Sequence, residues 1–490
     1  MKRWNGVAAV VALIMILAAC GGDSGSEPTT TVGDTAGTEA PATTSGGTAE
    51  EPSGDQVQIR WFVGLGTGAQ PEQTAAQEAV VEEFNASQDE IELVVEFAEN
   101  EVSKETLATQ ISAGNAPDIV GPVGRDGANG FAGLYLDIEP LVESSGFDTS
   151  IWSEAAVENF RETDGTLAGL PFASYPSFVY YNRDLFDEAG LPYPPQAYDA
   201  DGTAVYGEGT EYEGPWDFAK VAEIAQILTV DANGNDATSP DFDVANRVQW
   251  GFVWQFTDRL FQQGSFWGAG YPMADDGAAV FPDTWTDEWA WYYDGVWNSG
   301  FAPTQADIDA MGGNAFQSGN VAMGGSHLWY TCCIRDDANS IVGDFWDLAV
   351  MPSHDGVVTT NMHADTFRIL SSTEHPEEAF AVLAYLVNSD ATLPLLTTYG
   401  AAPANESLTE DYFASLEERY PQGVNWQVAL DSAAYADVPS HETFVPGWTE
   451  YIAATEVLKS AMLTDPALDL DAGIADLESE LTSLFGESAG

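Results

Sequence analysis

The chain has 490 residues, with 14 Lys and Arg against 78 Asp and Glu and a formal net charge of −64. A basic face is therefore missing, which excludes nucleic acid and anionic lipid surfaces as partners and disfavours anionic ligands. The acidity itself reads as a hydrated surface, suited for instance to salty surroundings. The length beyond the N-terminal segments exceeds one ordinary core and fits two domains.

The chain opens with Lys2 and Arg3, followed by an apolar run from Val7 that closes on Leu17-Ala18-Ala19-Cys20. This reads as a bacterial lipobox: residues 1–19 form a signal peptide, too short to span a bilayer, and Cys20 becomes the lipidated first residue. The expected location is extracytoplasmic, on the outer face of the cell membrane, with the membrane contacted through the lipid anchor alone. Residues 20–55 are nearly all Gly, Ser, Thr, Ala, Pro, Asp and Glu, a composition that cannot offset backbone ordering and reads as a disordered linker.

Ordered structure is expected from about Val57. Val57, Ile59, Trp61 and Val63 alternate as a strand, and the Gly64 to Gly68 loop breaks it. A helix follows from Pro71, then a second alternating strand over Ile91, Leu93, Val95 and Phe97. A further helix carries Leu107 and Ile111, and Pro117 to Val120 forms a short buried strand. This βαβ pattern implies a parallel α/β sheet, with ligands at the carboxyl ends of its strands, near Gly64–Gly68 and Gly121–Asn129. The glycine loop lacks dinucleotide and phosphate-loop spacing, so no nucleotide cofactor is expected, although Thr67 is available to a ligand. Asp231, Asn233 and Asn235 alternate like a calcium loop but lack its glycine and glutamate positions, and read as a hairpin turn. Cys332-Cys333 forms either a strained vicinal disulfide or two half-buried thiols.

Six short segments carry a resemblance. They are Asn115-Ala116-Pro117-Asp118-Ile119-Val120, Gly165 to Pro171, Tyr180 to Phe186 with Ala189-Gly190-Leu191, Pro215-Trp216-Asp217, Ala315-Phe316 with Gly319 to Met323, and Pro376 to Ala379. In this order they resemble the landmarks of bacterial extracellular solute-binding proteins, and most closely the sugar-binding branch that serves ABC importers and includes maltose-binding protein. The resemblance implies a type II periplasmic-binding-protein-like α/β fold, two α/β lobes joined by a three-crossing hinge around an interlobe cleft. Lobe 1 is expected to combine 56–172 with 357–402, and lobe 2 to combine 178–352 with 408–490. The crossings fall near 173–177, 352–357 and 402–407. It further implies a monomer that binds a neutral carbohydrate and delivers it to the transmembrane subunits of an ABC permease.

Sugar sites stack aromatic planes on C–H faces and meet hydroxyls with planar polar groups. The chain's 15 Trp and 18 Tyr exceed what cores need, although Trp216, Trp289, Trp291 and Trp297 read as packing residues. By placement in the resemblance, Trp329 is the stacking residue, and Ser326 and His327 lie on the loop before it. His327 reads otherwise as an ordinary polar loop residue, because no second histidine or carboxylate stands beside it at metal-ligand spacing, and no metal is expected. Tyr175 belongs to the first crossing, where it either meets ligand or packs the hinge. Arg125 and Asp126 follow the Pro117–Val120 strand, where guanidinium and carboxylate can take bidentate hydroxyl contacts. Asp365 and Thr366 stand at the return into lobe 1, and Trp254 and Trp448 are further candidates with core packing as the competing role. No catalytic motif is present, and the protein is read as a binder. A secreted glycoside hydrolase is the rival from another class. A binder of peptides or polyamines is a second rival, with polyamines disfavoured because the expected cleft lacks paired acidic landmarks.

Overall fold

The computed structural model describes residues 56–488, apart from Thr67, Ala69, 163–164 and 335–344. Cys20, the signal segment and the linker lie outside the described residues, as does Thr67.

The first strand, β1 (Val57–Val63), is followed by the helix Pro71–Ser87, β2 (Ile91–Phe97), the helix Asn100–Ser112 and β3 (Ile119–Val123). β1 pairs in parallel with both β2 and β3, the arrangement that the two crossover helices require. Next come β4 (Leu170–Asn182), β5 (Arg247–Trp254), β6 (Val321–His327), β7 (Trp346–Ala349) and β8 (Met362–Ile369). The sheet order is β2-β1-β3-β8-β4-β6-β5, with Val230–Asp231 beyond β5 and with β7 and Ala402–Pro403 pairing to β4. The result is a mixed α/β fold around one large sheet.

β4 is the strand on which both halves of the sheet depend. Its Leu170–Pro176 stretch pairs antiparallel with β8, whereas Ser177–Tyr181 pairs antiparallel with β6. All but one of its 13 residues are buried, so it reads as a continuous apolar run with both faces covered.

The six sequence segments become ordinary local devices. Tyr180-Tyr181-Asn182 ends β4, and the Asn182 side chain accepts from the backbone of Asp184 (3.0 Å) to start the helix Arg183–Ala189. Gly190, at φ 70°, ends that helix in the left-handed conformation that glycine adopts without penalty. Asp217 caps the helix Phe218–Ile227 through the backbone N–H of Lys220 at 2.8 Å. The Asp231 carboxylate takes the backbone N–H groups of Asn233 (2.8 Å), Asn235 (2.9 Å) and Asp243 (2.9 Å), closing a turn with its own backbone donors.

The tryptophans read as packing residues take that role. Trp216 and Trp289 are fully buried and donate to the carbonyls of Val350 and Leu260, each at 2.8 Å, while Trp297 donates to Met462 O at 2.7 Å. A second core gathers Trp285, Trp289, Trp448, Tyr451, Leu481 and Phe485 between the helices Asp283–Trp297, Trp448–Thr464 and Leu470–Ser488. The Cys332 and Cys333 sulfurs lie 3.2 Å apart, beyond the ~2.05 Å of a disulfide bond, which corresponds to the dithiol reading.

Close packing of β5 on the helix Phe218–Ile227 requires Gly251. A Cβ there would stand 2.1 Å from the Ala225 carbonyl oxygen, a backbone atom that cannot swing aside. Gly251→Ala is expected to destabilise the chain by about 1–3 kcal/mol, the usual range for overpacking, read as a lower urea midpoint at unchanged slope. An unchanged midpoint would contradict this packing.

Candidate functional site

Where β3, β8, β4 and β6 come together, the sheet carries a polar seam instead of an apolar one. His327 ends β6 and His363 lies near the start of β8, paired in register with Tyr175 of β4. The segment from Asp437 to Trp448 folds over them, and the helix Leu260–Ser265 supplies Gln262 and Ser265. Asn361 ties this helix down, donating to Gln262 O (2.9 Å) and accepting from the Ser265 hydroxyl (2.6 Å).

The strand β6 extends through Ser326 and His327, so these two residues are not on a loop as the sequence reading expects. The reason is packing. Gly325 lets Trp254 lie against the strand, where a Cβ would come within 2.3 Å of the Trp254 ring, and the paired glycines act as close-approach positions. Ser326 is fully buried and donates to Gln255 O at 2.7 Å.

Arg125 and Asp126 open the short helix Arg125–Asn129 and turn to different partners. Arg125 reaches Asn159, including its side-chain oxygen at 2.6 Å, and burial pulls its pKa down against the opposing charge of Glu442. Burial would raise the Asp126 pKa, but the Arg259 guanidinium and the Trp448 indole N–H (3.0 Å) outweigh it and hold the carboxylate ionised. Tyr175 is buried and donates to Asp365 at 3.1 Å. Burial, reinforced by Glu442 and opposed by the Tyr175 hydrogen bond, pushes Asp365 up to about 7. Glu442 is likewise raised, chiefly by burial. Thr366 is buried at the bulge in the β8–β4 ladder and donates to Leu170 O.

Four carboxylates, Asp126, Asp365, Asp437 and Glu442, are thus gathered here, which corrects the expectation of a cleft without grouped acids. They come from three distant stretches of chain, and spacing along the sequence gives no sign of the cluster. The same holds for the histidines, since His363 and His441 stand against His327 in space. The His327 and His363 rings stack at 3.8 Å, and the Nε2 atoms of His363 and His441 are 3.1 Å apart.

Trp329 is half-buried in the short 3-10 helix that follows β6, and it continues a run of near-parallel rings. The His327 ring lies at 5.8 Å and 13° from that of Trp329, and the Phe256 ring at 6.3 Å and 20°. Sequence reasoning missed Phe256. It is 44% exposed and has φ 58°, a conformation rarely adopted by a bulky residue. Trp254, by contrast, is sealed in packing: Phe266 lies face to face at 4.4 Å and 4°, and the indole N–H donates to Glu288 at 2.8 Å. Trp448 is also buried, with its N–H spent on Asp126.

A family model described as bacterial extracellular solute-binding protein matches residues 79–420. A Brucella abortus protein named only as a binding protein is 24% identical over 76% of this chain and 81% of its own length. The sn-glycerol-3-phosphate-binding periplasmic protein UgpB of the same organism is 30% identical over 28% of this chain and 32% of its own. Among solved structures, the ABC substrate-binding protein Lmo0181 of Listeria monocytogenes, in complex with cycloalternan, superposes with a TM-score of 0.67 at 18% identity. That match covers 88% of this chain and all of the other. Maltose-bound MalE3 of T. maritima gives 0.61 at 16% identity, covering 87% of this chain and 100% of its own.

Glu288 supplies a pH test of the wall behind β6. Burial pushes its carboxyl up to about 8, against the Trp254 hydrogen bond, and its second oxygen has no partner among the described residues. The folded chain therefore holds a proton that the unfolded chain releases above about pH 4.5. This stability is complete below that pH and is lost as pH rises through about 8. Glu288→Gln is expected to be more stable than the parent, by a margin that grows between about pH 5 and pH 8 to roughly 2 kcal/mol or more. Parallel denaturation curves across this range check it, and a pH-independent difference would contradict it.

Proposed function

Since this chain belongs to the bacterial extracellular solute-binding protein family, we propose that it is the receptor of an ABC importer for a neutral sugar or oligosaccharide, held in the seam between β6 and β8. The observation that carries this reading is the seam itself. It joins a half-open aromatic face, Trp329 with Phe256, to buried polar groups from both halves of the sheet. Stacking on one side and hydroxyl-directed hydrogen bonding on the other is the chemistry that a pyranose requires.

The charge balance supports an uncharged ligand. Arg125 and Arg259 are the guanidiniums of the seam, Arg259 is paired with Asp126, and carboxylates face the same space. A phosphate or carboxylate ligand would face these carboxylates, with Arg125, bonded to the neutral Asn159, as the one guanidinium of the two not paired to an acid. The grouped acids favour one second reading, a cationic solute such as a polyamine or amino sugar.

Lobe 1 is taken as 56–172 with 357–402 and lobe 2 as 178–352 with 408–490, with β4 at the junction. Arg259–Asp126 and Trp448–Asp126 then join the lobes, two contacts that support reading the arrangement as closed. A ligand that contacts both lobes favours closure by its differential affinity, and the permease reads the closed shape. Cys20 carries the lipid anchor of a monomeric receptor. Cys20→Ala is expected to release the protein from membranes into the soluble fraction, and unchanged membrane association would contradict anchoring there.

The decisive experiment is a thermal-shift screen of mono- and oligosaccharides beside polyamines, followed by calorimetry on the hit and chromatography of the recovered ligand. A neutral sugar is expected to raise Tm, to bind saturably and to return intact. Trp329→Ala is expected to weaken it at least tenfold. Cleaved sugar would overturn the receptor reading in favour of a hydrolase, a polyamine hit would overturn the neutral ligand, and unchanged affinity in Trp329→Ala would overturn the stacking role.

A further inference from the structure

Of the five histidines in the chain, three converge. His327 on β6, His363 on β8 and His441 in the segment before the helix Trp448–Thr464 each present a ring nitrogen, and these nitrogens lie within 4.8 Å of one another. An ion bound tetrahedrally by imidazoles at 2.0–2.1 Å sets its ligand nitrogens about 3.3 Å apart. The 3.1 Å between the Nε2 atoms of His363 and His441 is close to that spacing.

The surrounding hydrogen bonds fix which ring nitrogens are unprotonated. The Asp437 carboxylate lies 2.6 Å from His441 Nδ1, which fixes the proton on Nδ1 and turns the unprotonated Nε2 toward His363. Asp437 is itself held by the backbone N–H groups of His441 (2.7 Å) and Met362 (2.9 Å). The Gln262 side-chain nitrogen stands 3.1 Å from His363 Nε2 and can only donate, so this nitrogen is unprotonated and would exchange the Gln262 hydrogen bond for the ion. Two unprotonated nitrogens 3.1 Å apart are stabilised by a cation placed between them.

His327 adds an independent observation. It is wholly buried, yet neither ring nitrogen has a hydrogen-bond partner among the described residues. A buried imidazole left unsatisfied on both sides is costly, and coordination of one nitrogen removes part of that cost. The Glu442 carboxylate lies 3.6 Å from His363 Nε2, on the border of the cluster.

We propose that His327, His363 and His441 bind a divalent transition-metal ion of the zinc type, with Asp437 orienting His441 from outside. Three imidazoles select zinc, copper or nickel over calcium and magnesium, which take oxygen ligands. Because the ligands come from three separate chain segments, the ion clamps β6, β8 and the 437–448 segment together. The site is defined by its own side chains and stands whether or not a carbohydrate binds beside it.

The test uses the full chain, stripped with a chelator and titrated with Zn2+ by calorimetry and with Co2+ by visible absorption. One Zn2+ per chain is expected at micromolar or tighter affinity, with a rise in Tm, and Co2+ should give the visible bands of a tetrahedral site. His363→Ala and His441→Ala should each weaken Zn2+ at least a hundredfold, Asp437→Asn about tenfold, and the distant His375→Ala should leave affinity unchanged. Absence of saturable Zn2+ and Co2+ uptake by the parent chain would overturn the site without recourse to any variant, and would assign the His363–His441 contact to a proton. Uptake unaffected by His363→Ala and His441→Ala in folded variants would equally overturn it.

Discussion

The structure depends on one constraint: charge buried at the middle of a sheet must be paired or neutralised. β4 cannot be withdrawn from the centre, because one half holds β8 and the other holds β6. The ends of those partners therefore meet in a seam closed off from water, and this chain fills the seam with carboxylates and imidazoles. Arg259 neutralises Asp126, Asp437 orients His441, and Asp365 takes a raised pKa and a hydroxyl donor. Among the described residues, His327 is left in this seam with neither ring nitrogen hydrogen-bonded.

That logic sets the seam apart from the rest of the aromatic inventory. Trp216, Trp285 and Trp289 spend their indole N–H groups on nearby carbonyls and are surrounded by aliphatic and aromatic side chains. Trp329 lies instead at the end of a stack that leads outward through the exposed Phe256. The Trp329 ring is half-covered in the short 3-10 helix after β6, beside a residue held at φ 58°.

Local structure was legible in the sequence wherever a short-range cause dictates it. The alternation in β1 and β2 depends on neighbours a few residues away and appears as read; the Asn182 and Asp217 caps and the Gly190 stop are equally local, although in the sequence those residues stand out only as landmarks of the resemblance. Ser326 and His327 were misread as loop because Gly324-Gly325 looks like a chain break, whereas the glycines make room for Phe316 and Trp254. The seam was legible only residue by residue. His327, Asp365, Asp126 and Trp448 were singled out separately, but the joining of His363, His441, Glu442 and Asp437 to them depends on long-range sheet pairing and a returning C-terminal segment. No spacing rule along the chain encodes such a meeting.

The most direct measurement is hydrogen–deuterium exchange of the full chain with and without the sugar that binds best. If the seam receives the ligand, added protection should concentrate in 121–129, 254–268, 324–331, 361–368 and 437–448, with the helices Asn100–Ser112 and Leu470–Ser488 unchanged. Protection confined to other surfaces, or none in these five segments at saturating sugar, would contradict the account.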